Sequence, residues 1–314
     1  SLIKDKAHQT VEDQYLAAKE TTYHIADMVE QGWDIAIGHG NGPQVGFILR
    51  RSEIAFKAEG IHELSLDVCG ADSQGAIGYA LQQTLQNELY QRNIKKKVVT
   101  IITQTLVDKD DPAFSAPAKP IGGFMDEAEA QRRQTEQGWS VVEDAGRGWR
   151  RVVASPKPKE IVELESVQTI LAQGIITITV GGGGIPVVRN NGNGYRGVPA
   201  VIDKDFASAK LAEAVEADFL FILTAVDRIA INCAVNFRQA GLIADIAPGI
   251  AVGNQRPQNL SIGFKPVRQA ANIAIGYALQ FGKAFCRFAG RHGDRVMFYA
   301  MGIKARGQRP EVEA

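Results

Sequence analysis

The spacing of apolar residues changes repeatedly along the chain, and this predicts alternating helices and strands. Residues 8–31 have apolar side chains near every third or fourth position, which is the spacing of an amphipathic helix. The apolar run 35–37 has the β-branching of a buried strand. Helix followed by strand recurs over residues 165–180 and 204–224, with 219–223 as the second strand. This order predicts an α/β fold, a three-layer αβα sandwich with a mainly parallel central sheet.

Further segments of the first half fit the same architecture. The sequence predicts a helix from Pro43 to about Ala58, another over about 73–91, and a strongly β-branched strand over 97–104. We therefore interpret residues 1–314 as a single α/β domain.

The segment of about residues 108–151 interrupts this order. It is rich in proline and charge, and short strands are predicted around Val141 and Val152. We interpret it as an inserted, protruding lid subdomain. Within it, Lys119 precedes Pro120, which predicts a lysine in a rigid turn. Such a lysine either reaches the substrate when the lid closes or is simply solvated.

Composition and charge fit a soluble metabolic enzyme. The charges of the 35 basic and 35 acidic residues cancel, so the chain lacks the excess of positive charge that is typical of nucleic-acid-binding proteins. The sequence has no uncharged run of eighteen residues, so it predicts no membrane-spanning helix. Lys4 interrupts any signal-peptide pattern at the start. Cys69, Cys233 and Cys286 are widely spaced, which is typical of reduced thiols. We expect a cytoplasmic protein.

A first glycine-rich loop follows the strand at residues 35–37. Gly38, Gly40 and Gly42 allow backbone N–H groups to approach a ligand, and Pro43 suits the first turn of a helix. The N-terminus of that helix would favour an anion. The spacing matches neither the dinucleotide fingerprint nor the P-loop. It indicates either another kind of phosphate-binding loop or only a tight turn.

A second glycine-rich loop, residues 181–184, follows the β-branched segment 173–180. Because ligands bind at the carboxyl ends of strands in α/β sheets, the two loops are predicted to face one substrate. The alternative is a turn before an edge strand. His39, in the first loop, either touches the substrate or is structural.

A charged trio follows a third apolar run. Asp203, Lys204 and Asp205 have the chemistry that phosphoryl transfer needs, since Lys204 could neutralise charge on the transferring group. Asp203 could orient lysines or a magnesium ion, and Asp205 is predicted to cap the helix that follows. A solvated Lys204 is the alternative.

Seven segments, in this order, closely resemble the carbamate kinases. They are His39-Gly-Asn-Gly-Pro-Gln-Val-Gly46, Ser73-Gln-Gly-Ala-Ile-Gly-Tyr79, Lys119-Pro-Ile-Gly122, Glu143-Asp-Ala-Gly-Arg-Gly-Trp-Arg150, Ser155-Pro-Lys-Pro158, Gly181-Gly-Gly-Gly-Ile-Pro186 and Ala200-Val-Ile-Asp-Lys-Asp205. The resemblance covers roughly residues 1–235.

The resemblance implies the amino-acid kinase fold, with an eight-stranded, mainly parallel sheet, a protruding subdomain and a homodimer. It implies reversible phosphoryl transfer between ATP and carbamate, giving ADP and carbamoyl phosphate, with Mg²⁺ accompanying the nucleotide. The implied direction makes ATP in arginine catabolism.

The resemblance also assigns site residues by their positions in the motifs. Lys204, Asp203 and Lys119 are implied to be catalytic. The implied substrate- and phosphate-binding residues are Gly40, Asn41, Gly42, Gly181, Gly182, Gly183 and Lys265. The implied nucleotide-binding residues are Thr224, Val226 and Asp227.

Two stretches depart from the family pattern. The strand and Gly-Gly-Asn loop that open family members have no counterpart here, and the tail from about residue 235 matches poorly, with Lys265 as the one counterpart of a family lysine. Two other functions therefore stay open. One is a non-catalytic descendant that binds nucleotide or carbamoyl phosphate. The other is a related acyl kinase of the N-acetylglutamate type.

Overall fold

The computed structural model describes residues 2, 7–144, 146, 148–190, 194–223 and 298–304. Their helices are α1 Val11–Glu30, α2 Gly42–Glu59, α3 Leu66–Gln91, α4 Glu127–Gln137, α5 Leu164–Ala172 and α6 Lys204–Ala214. Their strands are β1 Trp33–His39, β2 Val98–Thr100, β3 Gln104–Val107, β4 Lys119–Met125, β5 Ser140–Glu143, β6 Trp149–Val153, β7 Pro158–Ile161, β8 Ile176–Ile178, β9 Ile185–Arg189, β10 Tyr195–Gly197, β11 Phe219–Leu223 and β12 Phe298–Lys304.

Local sequence signals explain where the first helices begin and end. Thr10 caps α1 in a capping box, in which its hydroxyl accepts from the Asp13 N–H and the Asp13 carboxylate accepts from the Thr10 N–H. Helix α2 ends at Gly60, which adopts a left-handed conformation. Helix α3 begins at Leu66, ahead of the predicted start at Ser73. The prediction missed its first turns because Gly70 interrupts the apolar pattern.

The first sheet has the strand order β11-β12-β1-β8-β2. Strand β8 pairs in parallel with β1 and with β2, whereas β12 lies between β1 and β11 and is antiparallel to both. The parallel pairs bring the carboxyl ends of β1 and β8 to the same edge of the sheet. The two glycine-rich loops leave the sheet at this edge.

In the described part of the chain, a cluster of buried apolar side chains lies on each face of this sheet. Ile35 and Ile37 of β1 pack in a cluster with side chains of α1 and α3, including Ile25 and Leu81. Ala36 points the other way and packs in a cluster with α5 and α6. Helices therefore cover both faces, which confirms the predicted α/β three-layer architecture.

The prediction of one strand over residues 97–104 is wrong in one respect, because two strands, β2 and β3, occupy this region. Strand β2 belongs to the first sheet, and β3 belongs to a second sheet with the order β10-β9-β3-β7. The chain changes sheet at Thr103, whose backbone N–H and C=O are both held by the Gln74 side chain at 2.8 and 3.1 Å. In the second sheet β3 is parallel to β9 and antiparallel to β7.

The segment predicted as a lid contains most of a separate antiparallel sheet with the order β4-β6-β5, and α4 connects β4 to β5. The short strands expected around Val141 and Val152 are β5 and β6. The prediction of a turn at Lys119 is wrong, because Lys119 begins β4 and pairs with Val153. Pro120 is tolerated there because β4 is an edge strand. The division of the chain into domains stays a prediction.

None of the helices in the described ranges is both long and apolar enough to cross a membrane.

Candidate active site

The first glycine-rich loop connects β1 to α2. Asn41 occupies the N-cap position of α2 and Pro43 lies in the first turn, but the Asn41 side chain makes no capping hydrogen bond. Its amide nitrogen donates instead to the hydroxyl of Ser73 on α3, at 2.8 Å. The N-terminus of α2 is thus left uncapped by this side chain, which suits an anion at that end.

The second glycine-rich loop lies directly against the first. A Cβ placed on Gly181 would overlap the His39 ring, and one placed on Gly182 would overlap the Asn41 amide. Gly182 also has a φ of 65°. Two independent constraints, close approach and a left-handed backbone, therefore require glycine at this position. The loop precedes β9, an interior strand of its sheet, so the alternative of a turn before an edge strand is wrong.

A buried hydrogen-bond network holds the second loop in place. The Thr103 hydroxyl accepts from the Val180 N–H at 3.0 Å and lies 2.9 Å from the Thr179 hydroxyl. The Thr105 hydroxyl donates to the Gly183 carbonyl at 2.8 Å. Because these threonines are fully buried, their hydrogen bonds hold the loop in one conformation.

His39 is a buried, neutral side chain. Burial lowers its pKa to about 4, and its Nδ1 lies 3.3 Å from the Gly40 carbonyl oxygen. It is 2% exposed and packs beneath Gly181. Of the two roles open to His39, the geometry favours the structural one.

Asp203 and Lys204 lie at the N-terminus of α6, beside the second loop. A Cβ on Gly183 would lie 2.8 Å from Cβ of Ile202, the residue before Asp203. The prediction that Asp205 caps this helix is wrong. Asp203 is the N-cap, and its Oδ1 accepts from the Asp205 N–H at 3.0 Å.

Asp203 also binds the lysine of the three-stranded sheet. Lys119 Nζ donates to Asp203 Oδ2 at 2.8 Å. Burial alone would raise the pKa of the Asp203 carboxyl, but the charge and hydrogen bond of Lys119, the Asp205 N–H and the charge of Lys204 outweigh it. The pKa therefore lies below its ordinary value and the carboxylate stays ionised.

The neighbouring carboxylate behaves in the opposite way. Asp205 Oδ1 lies 3.5 Å from Lys204 Nζ, which is ion-pair range, although this buried oxygen accepts no hydrogen bond within the described residues. Burial raises the pKa of Asp205 above its ordinary value, and together with the charge of Asp203 it exceeds the opposing effect of Lys204. Two carboxylates and two lysines thus meet at the start of α6.

The lid sheet is anchored to α2. Arg133 of α4 donates to Glu53 of α2 at 2.9 Å, and both side chains are less than 10% exposed. A Cβ on Gly46 of α2 would lie 3.1 Å from Cα of Gly122 in β4. The strand that carries Lys119 is therefore fixed against the helix that begins at the first glycine loop.

Comparison with known proteins agrees with this geometry. A model of the amino acid kinase family matches residues 1–245. The chain belongs to the amino acid kinase family. It is 51% identical over 233 residues to a carbamate kinase of Clostridium perfringens, a match that covers 74% of each chain. It is 54% identical over 220 residues to the carbamate kinase-like protein YqeA of Escherichia coli, covering 70% of each chain.

A solved structure of the same family is also similar. The carbamate kinase from Giardia lamblia bound to AMP-PNP is 40% identical, with a TM-score of 0.67 and coverage of 74% of this chain and 72% of that one. The amino-acid kinase fold and the resemblance to carbamate kinases, both expected from the motifs, are confirmed.

The structure brings most of the predicted site residues of this family member together. The first loop, with Gly40, Asn41 and Gly42, lies against the second, with Gly181, Gly182 and Gly183, through the close approach of Asn41 and Gly182. Beside the second loop Lys119 binds Asp203, and Lys204 pairs with the neighbouring Asp205. Their roles stay predictions. Thr224, Val226, Asp227 and Lys265 lie outside the described residues.

Sequence reasoning gave no role to the residues that support the loops. Ser73 and Gln74 lie within a quoted motif, and both are fully buried polar side chains one helical turn before the buried Ile77 of α3. Polar residues at positions that the helical pattern places in the core were the available signal, because buried polar groups need hydrogen-bond partners. Glu53 and Arg133 gave no signal, since each reads as an ordinary charged helix residue.

Proposed function

We propose that the chain catalyses reversible phosphoryl transfer between ATP and carbamate, giving ADP and carbamoyl phosphate. The observation that carries this proposal is the placement of Asp203, which holds Lys119 and begins the helix of Lys204 beside two interlocked glycine loops. Phosphoryl transfer needs positive charge and positioning more than covalent chemistry, and these residues offer both. The carbamate kinases among the relatives support the choice of substrate.

Each charged residue has a distinct role in this proposal. Lys204 and Lys119 neutralise the oxygens of the transferring phosphoryl group. Asp203 orients Lys119 and fixes the start of α6, so that both ammonium groups are in place before the substrate binds. In the direction of ATP synthesis the carbamate O–P bond breaks as the bond from the ADP β-phosphate oxygen forms, and no covalent enzyme intermediate is needed.

The glycine loops would bind the carbamoyl and phosphate groups. Carbamate is small and planar, and N–H donors of Gly40 to Gly42 and of Gly181 to Gly183 are of the right size for it. The lid sheet that carries Lys119 would keep out water, which would otherwise hydrolyse carbamoyl phosphate.

Mg²⁺ would accompany the nucleotide. Within the described residues no three His, Cys, Asp or Glu side chains converge as a metal site. This fits an ion held mainly by the phosphates and water, since Mg²⁺ usually needs only one or two protein carboxylates. Asp203 is committed to Lys119 and to the helix cap, which leaves Asp205, whose buried Oδ1 lies 3.5 Å from Lys204 Nζ and accepts no hydrogen bond within the described residues, as the candidate ligand. The ion would supply charge neutralisation on the nucleotide.

The remaining expectations follow from the proposed reaction. Thr224, Val226 and Asp227 would contact the nucleotide, and Lys265 the phosphoryl group. We propose a cytoplasmic homodimer that makes ATP in arginine catabolism. Light scattering on the purified chain tests the dimer directly.

The first experiment is to measure ATP formation from ADP, Mg²⁺ and carbamoyl phosphate, using the full 314-residue chain. Turnover supports the proposal. Phosphorylation of N-acetylglutamate by ATP would point instead to a related acyl kinase. Thermal stabilisation by carbamoyl phosphate without turnover would contradict the proposal in favour of a binding protein.

A further inference from the structure

The orientation of the Asn41 side-chain amide is fixed by Ser73. The Ser73 hydroxyl donates its only hydrogen to the Gly70 carbonyl, at 2.6 Å within α3. Its oxygen can therefore only accept from Asn41, so the amide nitrogen, at 2.8 Å, faces Ser73. Because Ser73 is fully buried, no water competes for this hydrogen bond.

The amide oxygen of Asn41 consequently points away from Ser73. Nothing in the described part of the chain donates a hydrogen bond to it, and the side chain does not cap α2. Asn41 is partly exposed, at the junction of the two glycine loops, with Gly182 packed against its amide. Gly182 leaves little room for the amide to move. Asn41 Oδ1 is a fixed, uncharged hydrogen-bond acceptor at the contact of the two glycine loops.

We propose that Asn41 Oδ1 selects the substrate by accepting a hydrogen bond from its amino group, and that Ser73 is the positioning residue that makes this possible. Carbamate and carbamoyl phosphate have an NH₂ group. Acetate and acetyl phosphate, of similar size and shape, present a methyl group instead, which cannot donate a hydrogen bond. A site built to pair with an N–H rejects an analogue that lacks it, because its acceptor is then left unpaired. The choice of carbamate as substrate rests on the proposed function.

The test compares two acyl phosphates as phosphoryl donors to ADP. Carbamoyl phosphate has the amino group, and acetyl phosphate has a methyl group in its place. In Ser73→Ala the amide of Asn41 loses its fixed orientation. We expect kcat/KM for carbamoyl phosphate to fall about tenfold, the worth of one hydrogen bond, while kcat/KM for acetyl phosphate stays within about twofold of wild type.

Ser208→Ala is the matched control. Ser208 is as buried as Ser73 and lies on the helix of Lys204, but its hydroxyl has no hydrogen-bond partner in the described residues. This variant should leave both activities unchanged. Asn41→Ala is the second test variant, since it removes the acceptor without removing a helix cap. It should lose the same preference for carbamoyl phosphate.

The outcomes separate this inference from the proposed function. Equal losses with both acyl phosphates in Ser73→Ala and Asn41→Ala would overturn it and leave Ser73 with a purely structural role. If wild type turns over neither compound, the proposed function fails, and the ratio of the two dissociation constants decides the inference. The inference is supported if wild type binds carbamoyl phosphate more tightly than acetyl phosphate and Ser73→Ala loses this preference. It is overturned if wild type binds the two compounds equally or binds neither.

Discussion

Lys119 Nζ lies 2.8 Å from Asp203 Oδ2, although the two residues are 84 positions apart in the chain. This contact joins an edge strand of the lid sheet to the first turn of α6. The same carboxylate caps α6 through its other oxygen. The charge arrangement of the site therefore depends on how the lid sheet is seated against the main domain, as well as on the residues themselves.

Replacement of Lys204 by alanine should nearly abolish turnover without unfolding the protein. Loss of one charge that stabilises the transition state lowers kcat by about 10²- to 10³-fold. Coupled measurement of ATP formation tests this. Lys210→Ala, on the same helix, should retain wild-type activity. Near-wild-type turnover in Lys204→Ala would remove Lys204 from the mechanism.

Asp203→Asn separates the two roles of Asp203. Asparagine still caps α6, so the melting temperature should change little. The charge-assisted hydrogen bond to Lys119 is lost, and turnover should fall about 10- to 100-fold. Asp203→Ala removes the cap as well and should cost about 1 kcal/mol more in free energy of unfolding. Equal stabilities of the two variants would argue against the capping role.

Gly182→Ala and Gly138→Ala form a pair that isolates the close approach of the two glycine loops. The φ angles are 65° and 66°, but a Cβ on Gly138 meets no atom within 4 Å, whereas one on Gly182 overlaps Asn41. Gly138→Ala should cost about 1 kcal/mol, from backbone strain alone. Gly182→Ala should cost more and also weaken binding of carbamoyl phosphate. Chemical denaturation of both variants measures the difference.

The fold was largely predictable from local pattern. The boundaries of β11 match the predicted strand, because Phe219–Leu223 is a continuous apolar run between a helix and the next segment. The break between β2 and β3 was not predictable, because residues 97–104 form one β-branched run. The interruption comes from Gln74, a side chain on another element that holds both backbone groups of Thr103.

The candidate site was predictable in its residues but not in its contacts. Glycine-rich loops and a charged trio at strand ends indicated the loops, Lys204 and Asp203. The assignment of the helix cap to Asp205 failed, because either aspartate satisfies the sequence rule for a cap and only the backbone geometry selects Asp203. The role of Lys119 depends on a contact between distant segments, which no local pattern encodes.

The buried neutral His39 should make stability depend on pH. Its folded-state pKa is about 4 against an ordinary value of 6.5, so the unfolded chain binds a proton first as pH falls. The stabilising contribution is complete above pH 6.5 and is lost as pH falls towards about 4, by roughly 3 kcal/mol. As the pH is lowered from 6.5 to about 4, the free energy of unfolding of wild type should fall relative to that of His39→Gln. A constant difference between the two proteins would contradict the neutral, buried state of His39.

Arg133→Met should destabilise the protein and loosen the seating of Lys119. Breaking a buried ion pair leaves Glu53 with only the exposed Arg50 as an ion-pair partner in the described residues, at a cost of about 3–5 kcal/mol. Arg132→Met is the control, because the neighbouring Arg132 is 40% exposed and pairs only with carboxylates of its own helix in the described part of the chain. That variant should cost less than about 1 kcal/mol. At a temperature where both variants are folded, Arg133→Met alone should also lower kcat, because the lid sheet is then held against α2 only by packing such as that of Val45 with Ile121. Unchanged kcat in a destabilised Arg133→Met would show that the lid sheet positions Lys119 without this ion pair.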